Sequence, residues 1–397
     1  MTAEPRLRLI PMRPRDPGES GRVASSLELF FDLVFVIAVS VAAVQLHHAL
    51  SAGHVIGGIL SYAAVFFAVW WAWMNFTWFA TSFDTDDWLY RVMTIVQMGG
   101  VLVLAAGVAP AFEHHDFTIV TLGYVVMRLA MVTQWLRAAR GAGDARPAAL
   151  TYAAGIAAVQ VLWLLALLMP AVAFPVVFVL LVLAEISVPV LAERRGATPW
   201  HPHHITERFG LFTLILLGES LLASANAVIE ALGQGEEVGE LIAVAVLTLV
   251  ATASLWWIYF WPSHHHAIRD LRSSLRYGYS HYVIFAAAGA FSAGIEVEID
   301  VIAGHSELAA PWASFAFTIP LALFVLGVWA VAIRPRADRV VNIAIPLAGL
   351  LVLVDPIIPV PFALTALILA VAVAVLEWRG GDGERAARAE PETLRAP

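Results

Sequence analysis

The sequence predicts an all-α polytopic membrane protein of about twelve transmembrane helices, and three observations carry that expectation. Of its 397 residues, 60% are hydrophobic and 14% are charged, against roughly 45–50% and 25% in a soluble domain. Its mean hydropathy is +0.79. Apolar runs of roughly 20 residues, the length that crosses a bilayer, recur along nearly the whole chain, and the arginines collect in alternate connections between them.

Residues 1–24 are rich in proline and arginine and hold no apolar core of the kind a signal peptide needs, so they read as a disordered cytosolic tail. Twelve spans follow, at 27–50, 55–80, 90–111, 117–136, 148–170, 172–191, 203–228, 240–261, 275–295, 312–333, 340–354 and 361–378. The eleventh is short and the fifth and sixth nearly abut at 169–175, so ten or eleven spans is the variant reading. Residues 380–397 read as a second disordered cytosolic tail.

Arginine accumulates in cytoplasmic loops of membrane proteins. With the N-terminus inside, Arg6, Arg8, Arg13, Arg15 and Arg22 fall in the cytosol. The even-numbered connections then hold Arg137, Arg140 and Arg146, then Arg194 and Arg195, then Arg269, Arg272 and Arg276, then Arg334, Arg336 and Arg339. Odd-numbered connections are neutral or acidic, with Glu113 and Asp116, then Glu230, Glu236, Glu237 and Glu240, then Glu296, Glu298, Asp300 and Glu307. The acids Asp84, Asp86 and Asp87 break the sign pattern. A multi-pass protein of the cytoplasmic membrane with both termini inside fits best.

An internal repeat is expected. Glu28-Leu-Phe opens the first span and Glu207-Arg-Phe the seventh; Trp70-Trp71 and Trp256-Trp257 mark the second and eighth; Arg91 and Arg276 open the third and ninth. The separations of 179, 186 and 185 residues are nearly constant. They divide the chain into six-helix halves at 25–195 and 196–379, which an even helix number makes parallel.

Composition also excludes chemistry. There is no cysteine, and all 23 basic residues are arginine, so thiol catalysis and a retinal or pyridoxal Schiff base on lysine are out. No phosphate-binding loop, GxSxG elbow or HExxH run is present. No cofactor is expected.

Charges near a helix centre cost at least about 2.5 kcal/mol each in a membrane, which makes the charged spans the candidate site. In the seventh span Arg208, Phe212, Ile215 and Glu219 share one helical stripe. In the first, Glu28 and Asp32 are one turn apart. Glu28 reads as a helix cap, and Asp32 either as a functional acid or as an arginine's partner. Glu219, roughly 18 Å beyond Glu207 along the axis, follows Gly218, where a second helix has room to approach. It is a functional acid or the partner of Arg128, which is mid-span beside Thr121 and Tyr124; Glu185 is a further buried acid. His204 and Glu207 have the i, i+3 spacing of a metal pair, with His201 and His203 just before them and His264 to His266 following the eighth span on the same cytosolic side, although interfacial loop histidines are commoner than ligands. His281, beside Tyr277, Tyr279 and Tyr282, is either a proton relay or a satisfied structural histidine. His47-His48 and His114-His115 read as interface residues, and the tryptophans as belts and packing.

SLELFFDLVFVIA (26–38), HITERFGLFTLILLGES (204–220) and YSHY (279–282) resemble the bacterial low temperature requirement A family of integral membrane proteins. That resemblance implies a membrane protein whose signature residues are Glu28, Asp32, His204, Glu207, Arg208, Glu219 and His281, and it leaves the reaction open. A fainter similarity, to endolysosomal potassium channels through Phe30-Phe31-Asp32, is weakened by the lack of a matching aspartate after Phe209.

The leading expectation is a secondary transporter or channel moving a cation, proton or small solute along the first and seventh spans. Asp32 and Glu219 would bind the ion, Arg128 and Arg208 would balance charge, and His281 would relay protons. The alternatives are an enzyme acting on a lipid or isoprenoid through His204 and Glu207, and a membrane scaffold for growth in the cold. Expected partners are the lipid bilayer and an ion or solute, with no nucleic acid; a homo-oligomer is compatible with the composition.

Overall fold

The computed structural model describes residues 9–234, 239–309, 311–358 and 361–389. Among them are thirteen α-helices and no strand: α1 (Ser26–Ser51), α2 (Val55–Phe83), α3 (Trp88–Ala106), α4 (Val108–Glu113), α5 (Thr118–Ala138), α6 (Arg146–Ala166), α7 (Phe174–Arg195), α8 (Pro202–Gln234), α9 (Gly239–Phe260), α10 (Leu271–Ala303), α11 (Trp312–Val328), α12 (Arg339–Val354) and α13 (Pro361–Ala389). All but the six-residue α4 give a segment long and apolar enough to cross a membrane, twelve in total. Each expected span is one of these helices. The third breaks at Gly107 into α3 and α4, and the tenth ends in a π-helical turn, Trp329–Ile333.

Three expectations are corrected. Residues 9–24 are not a free tail: Met12 is buried, and the Arg15 amide donates to the Ser82 carbonyl at 3.0 Å. Arg22 donates to the carbonyls of Ala80 and Thr81, satisfying acceptors that the end of α2 leaves without helical partners. The rest of that expected tail, 1–8, lies outside the described residues. At the other end, α13 continues to Ala389 instead of giving way to a tail at 380, and 390–397 lie outside the described residues. Finally, Glu296, Glu298 and Asp300 are on α10, not in a loop, because that helix continues to Ala303.

The chain packs as two compact units, one of residues 1–45, 55–215 and 268–271, the other of 46–54, 216–267 and 272–397. The division cuts through α1 and α8 and does not fall at residue 195. In the first unit α3 and α5 touch backbone to backbone. A Cβ at Gly123 would stand 2.4 Å from the Leu104 nitrogen, and one at Gly100 would stand 2.8 Å from the Gly123 carbonyl. Small residues that permit such approach are a main source of helix association where apolar burial gives no advantage over lipid. Trp70, Trp71 and Trp73 are buried in this unit, and Trp135 stacks on Tyr152 with centroids 4.1 Å apart. These tryptophans are packing residues. In the second unit, Trp256 and Trp257 are 43% and 40% exposed, so the two tryptophan pairs occupy different environments. There Gly294 lets α10 meet α11, its Cβ position being 2.4 Å from the Ala316 carbonyl.

Candidate functional site

The first centre of the site is in the first unit. Ser25 and Glu28 form a capping box at the start of α1: the Ser25 amide donates to Glu28 Oε2 at 2.8 Å, and the Glu28 amide to Ser25 Oγ at 3.3 Å. The cap expected of Glu28 is therefore present. On the next turn, and on the same face, is Asp32. The opposite face of α1 is apolar and exposed, with Phe30, Leu33 and Ile37 about half accessible, as a lipid-facing stripe requires.

Arg208 of α8 joins the two acids. Its Nη2 and Nε donate to Asp32 Oδ1 at 2.5 Å and Oδ2 at 3.1 Å, and its Nη1 donates to Glu28 Oε1 at 2.8 Å. A forked guanidinium suits this task because it bonds two carboxylates at fixed angles. Trp73 Nε1 adds a fourth bond, 2.6 Å to Asp32 Oδ1, and its ring stacks on Phe212 at 4.5 Å. His204, one turn before Arg208, brings Nε2 to 3.2 Å from Glu28 Oε1. His204, Arg208 and Asp32 are 0% exposed and Glu28 is 1% exposed. Two carboxylates therefore share one guanidinium in a site without solvent contact, and the remaining titratable member, His204, has an Nδ1 with no partner among the described residues.

At the rim, outside the spans, His201 Nε2 donates to the Glu19 carbonyl and His201 Nδ1 accepts from the His204 amide, at 2.9 and 3.2 Å. Burial lowers the affinity of His201 for a proton. Asp84 pairs with Arg15 at 3.3 Å, while burial and the Glu28 charge raise its carboxyl above the ordinary value.

A second centre in the same unit surrounds Glu185 of α7. This carboxylate accepts from Arg128 Nη2, Trp71 Nε1 and Tyr124 Oη at 2.9 Å each, and from Gln160 Nε2 and Trp163 Nε1 at 3.3 Å. The partner of Arg128 is thus Glu185, and not Glu219 as one reading of the sequence had it. Trp71, Gln160 and Trp163 were not singled out as site residues. Their signal was weak, since indole and amide groups become informative only once a buried acid is seen facing them.

Other expectations are corrected too. Glu219 and Glu207 are half-buried, and neither has a hydrogen bond or ion pair among the described residues. A Cβ at Gly218 would meet open space, so it is no site of helix approach. No cluster of three His, Asp or Glu side chains suited to a metal occurs among the described residues, which leaves His204 and Glu207 without a third ligand.

His281 belongs to the second unit and to a reciprocal set. His281 Nδ1 donates to the Tyr277 carbonyl at 2.7 Å, and its Nε2 faces the Tyr259 hydroxyl at 3.1 Å. His264 Nε2 donates to the Tyr259 carbonyl at 2.6 Å, and its Nδ1 faces the Tyr277 hydroxyl at 2.9 Å. Because a carbonyl only accepts, each ring has a fixed N–H and a neutral form satisfies both nitrogens. Here too His47 is held between Glu296 at 3.0 Å and Asp300 at 2.6 Å.

The chain matches the family model of the bacterial low temperature requirement A protein over residues 23–377. An uncharacterised protein of Rhizobium meliloti (strain 1021) is 28% identical over 256 residues, which cover 62% of this chain. The chain spans 60% of the length of that curated relative.

Proposed function

The chain belongs to the bacterial low temperature requirement A family, and we propose that it is a secondary transporter or channel for a proton or monovalent cation, working through Glu28, Asp32, His204 and Arg208. The observation that carries this reading is the charge count of the buried cluster. Glu28 and Asp32 receive only donors, the arrangement that suits two carboxylates, and Arg208 supplies one positive charge against them. Net charge so far from water is costly. Neutrality requires a proton on His204, at its unpartnered Nδ1, a proton on one of the two carboxyls, or a bound cation. Taking up and releasing that charge is the elementary step of an ion pathway between α1 and α8.

The same reading places the protein in the cytoplasmic membrane with both termini inside and reads the two halves as parallel repeats. Glu207, Glu219 and His281 would serve only as accessory groups. The enzyme alternative has less support, because His204 is fully buried and a lipid headgroup would have to reach it. A structural clamp is the second reading, favoured by the three donors that already occupy Asp32.

Proton and potassium flux into proteoliposomes under an imposed potential tests the proposal. Wild-type flux that is abolished by His204→Gln and by Asp32→Asn, in protein that still elutes as a folded species, supports it. Equal flux in wild-type, variant and empty vesicles would leave the clamp as the correct reading.

A further inference from the structure

A pocket in the first unit, away from the ion cluster, has the makings of a ligand site. It is an open groove lined by residues of α2, α5, α6 and α7. Its floor is Phe67, Val120, Thr121, Tyr124 and Trp163, all buried; its rim is Phe117, Phe174 and Phe178, which are half-buried. The space exists because α2 presents Ala64 and Ala68 there, two small residues one turn apart. Phe117 and Phe174 stack at the mouth, with centroids 5.0 Å apart.

The polar groups of this wall are arranged selectively. The Tyr124 hydroxyl and the Trp163 indole N–H are both committed to Glu185, so these residues offer the pocket ring faces. Thr121 is the exception. It is 6% exposed, lines the pocket, and its hydroxyl has no partner among the described residues. Behind Tyr124, whose ring lies 5.5 Å below the guanidinium carbon of Arg128, that arginine keeps two buried nitrogens, Nε and Nη1, without acceptors. Arg128 does not line the pocket and its charge is balanced by Glu185, so the polar point the wall offers is the Thr121 hydroxyl, which can donate to an oxygen. Pockets of this kind, mostly aromatic with few polar points, take small planar molecules oriented by one hydrogen bond.

We propose that the pocket binds a membrane-soluble molecule consisting of one aromatic ring with a single oxygen substituent, its ring lying against the mutually packed Phe67, Trp163 and Phe178 and its oxygen on Thr121. A saturated acyl chain would fill the space and leave the hydroxyl unanswered, which makes it the poorer occupant.

The test is photolabelling of the full-length protein in lipid nanodiscs with a diazirine-bearing phenol, followed by peptide mapping. Expected is saturable labelling of α2, α5 and α7 around the pocket, displaced by unmodified p-cresol. Thr121→Val should weaken it roughly fivefold to tenfold, the worth of one hydrogen bond, and Ala68→Phe should abolish it. Thr121→Val is nearly isosteric and keeps the test valid if Ala68→Phe fails to fold. Labelling that p-cresol does not displace, that Thr121→Val leaves unchanged, or that appears here only with a phosphatidylcholine carrying the diazirine on its acyl chain, would overturn the proposal.

Discussion

Replacing Arg208 with methionine keeps an unbranched apolar stem, though a shorter one, while deleting the charge that Glu28 and Asp32 share. Three hydrogen bonds are lost, two to Asp32 and one to Glu28, and each bond to a charged group is worth roughly 1.5–3 kcal/mol. The sum overstates the cost, because the carboxylates can take up protons and water can enter. Breaking a buried pair by removing one partner costs about 3–5 kcal/mol, and the upper end applies here because two acids are stranded. The expected destabilisation of Arg208→Met at neutral pH is therefore about 4–5 kcal/mol. The assay is equilibrium unfolding of the purified protein in mixed micelles by added sodium dodecyl sulfate, followed by circular dichroism. Two further measurements identify the cause. Adding Asp32→Asn in the same chain removes one stranded charge and should recover a substantial part of the loss. Lowering the pH should narrow the gap to wild type, because protonating a stranded acid removes its penalty, whereas wild type loses its ion pairs. A loss below about 1 kcal/mol, the range of an exposed ion pair, or a double variant no better than Arg208→Met, would refute the account of the cluster as coupled buried charge.

Glu185→Gln should be nearly as costly, about 3–5 kcal/mol in the same unfolding assay, because it strands Arg128 and replaces an acceptor of five bonds with an amide. Gly123→Ala should cost about 1–3 kcal/mol by forcing α3 from α5, since its Cβ would be 2.4 Å from the Leu104 nitrogen; Gly218→Ala, with open space around its Cβ, should be neutral or gain up to about 1 kcal/mol from helix propensity. Equal effects at the two glycines would contradict the packing described. His264, in the turn before α10, is held by burial to a pKa of about 4, below its ordinary 6.5. The unfolded chain therefore binds the proton first, and stability should be full above pH 6.5 and decline as pH falls from there toward about 4, by at most about 1.4 kcal/mol per unit. Melting temperatures of wild type and His264→Asn over that range check it, and parallel curves would rule out His264 as the source.

What the sequence determined by itself follows from local rules. A bilayer admits a chain only as helices or as a closed barrel, and apolar runs of roughly 20 residues select the helix, so twelve spans could be read from them, with ends displaced where helices continue past the apolar core, as α10 does through Glu296 and Asp300. Charge periodicity likewise put Asp32 and Arg208 on inward faces, because a lipid-facing charge is too costly. The capping role of Glu28 was legible from its place at the start of the first span, where a helix favours negative charge. Only the tertiary structure decided who meets whom. Periodicity fixes the face of a helix but not its neighbour, so Glu219 stood as one candidate partner of Arg128 when the partner is Glu185, 57 residues away on α7. Gly218 carries the same signal as Gly123, yet one faces open space and the other a backbone. The N-terminal segment has no apolar pattern at all. Its order comes from unsatisfied carbonyls at the end of α2 and from Asp87, which accepts from the Ile10 amide, partners that exist only after the helices have assembled. Pairing of charges across helices is a property of the packed bundle, and no single helix encodes it.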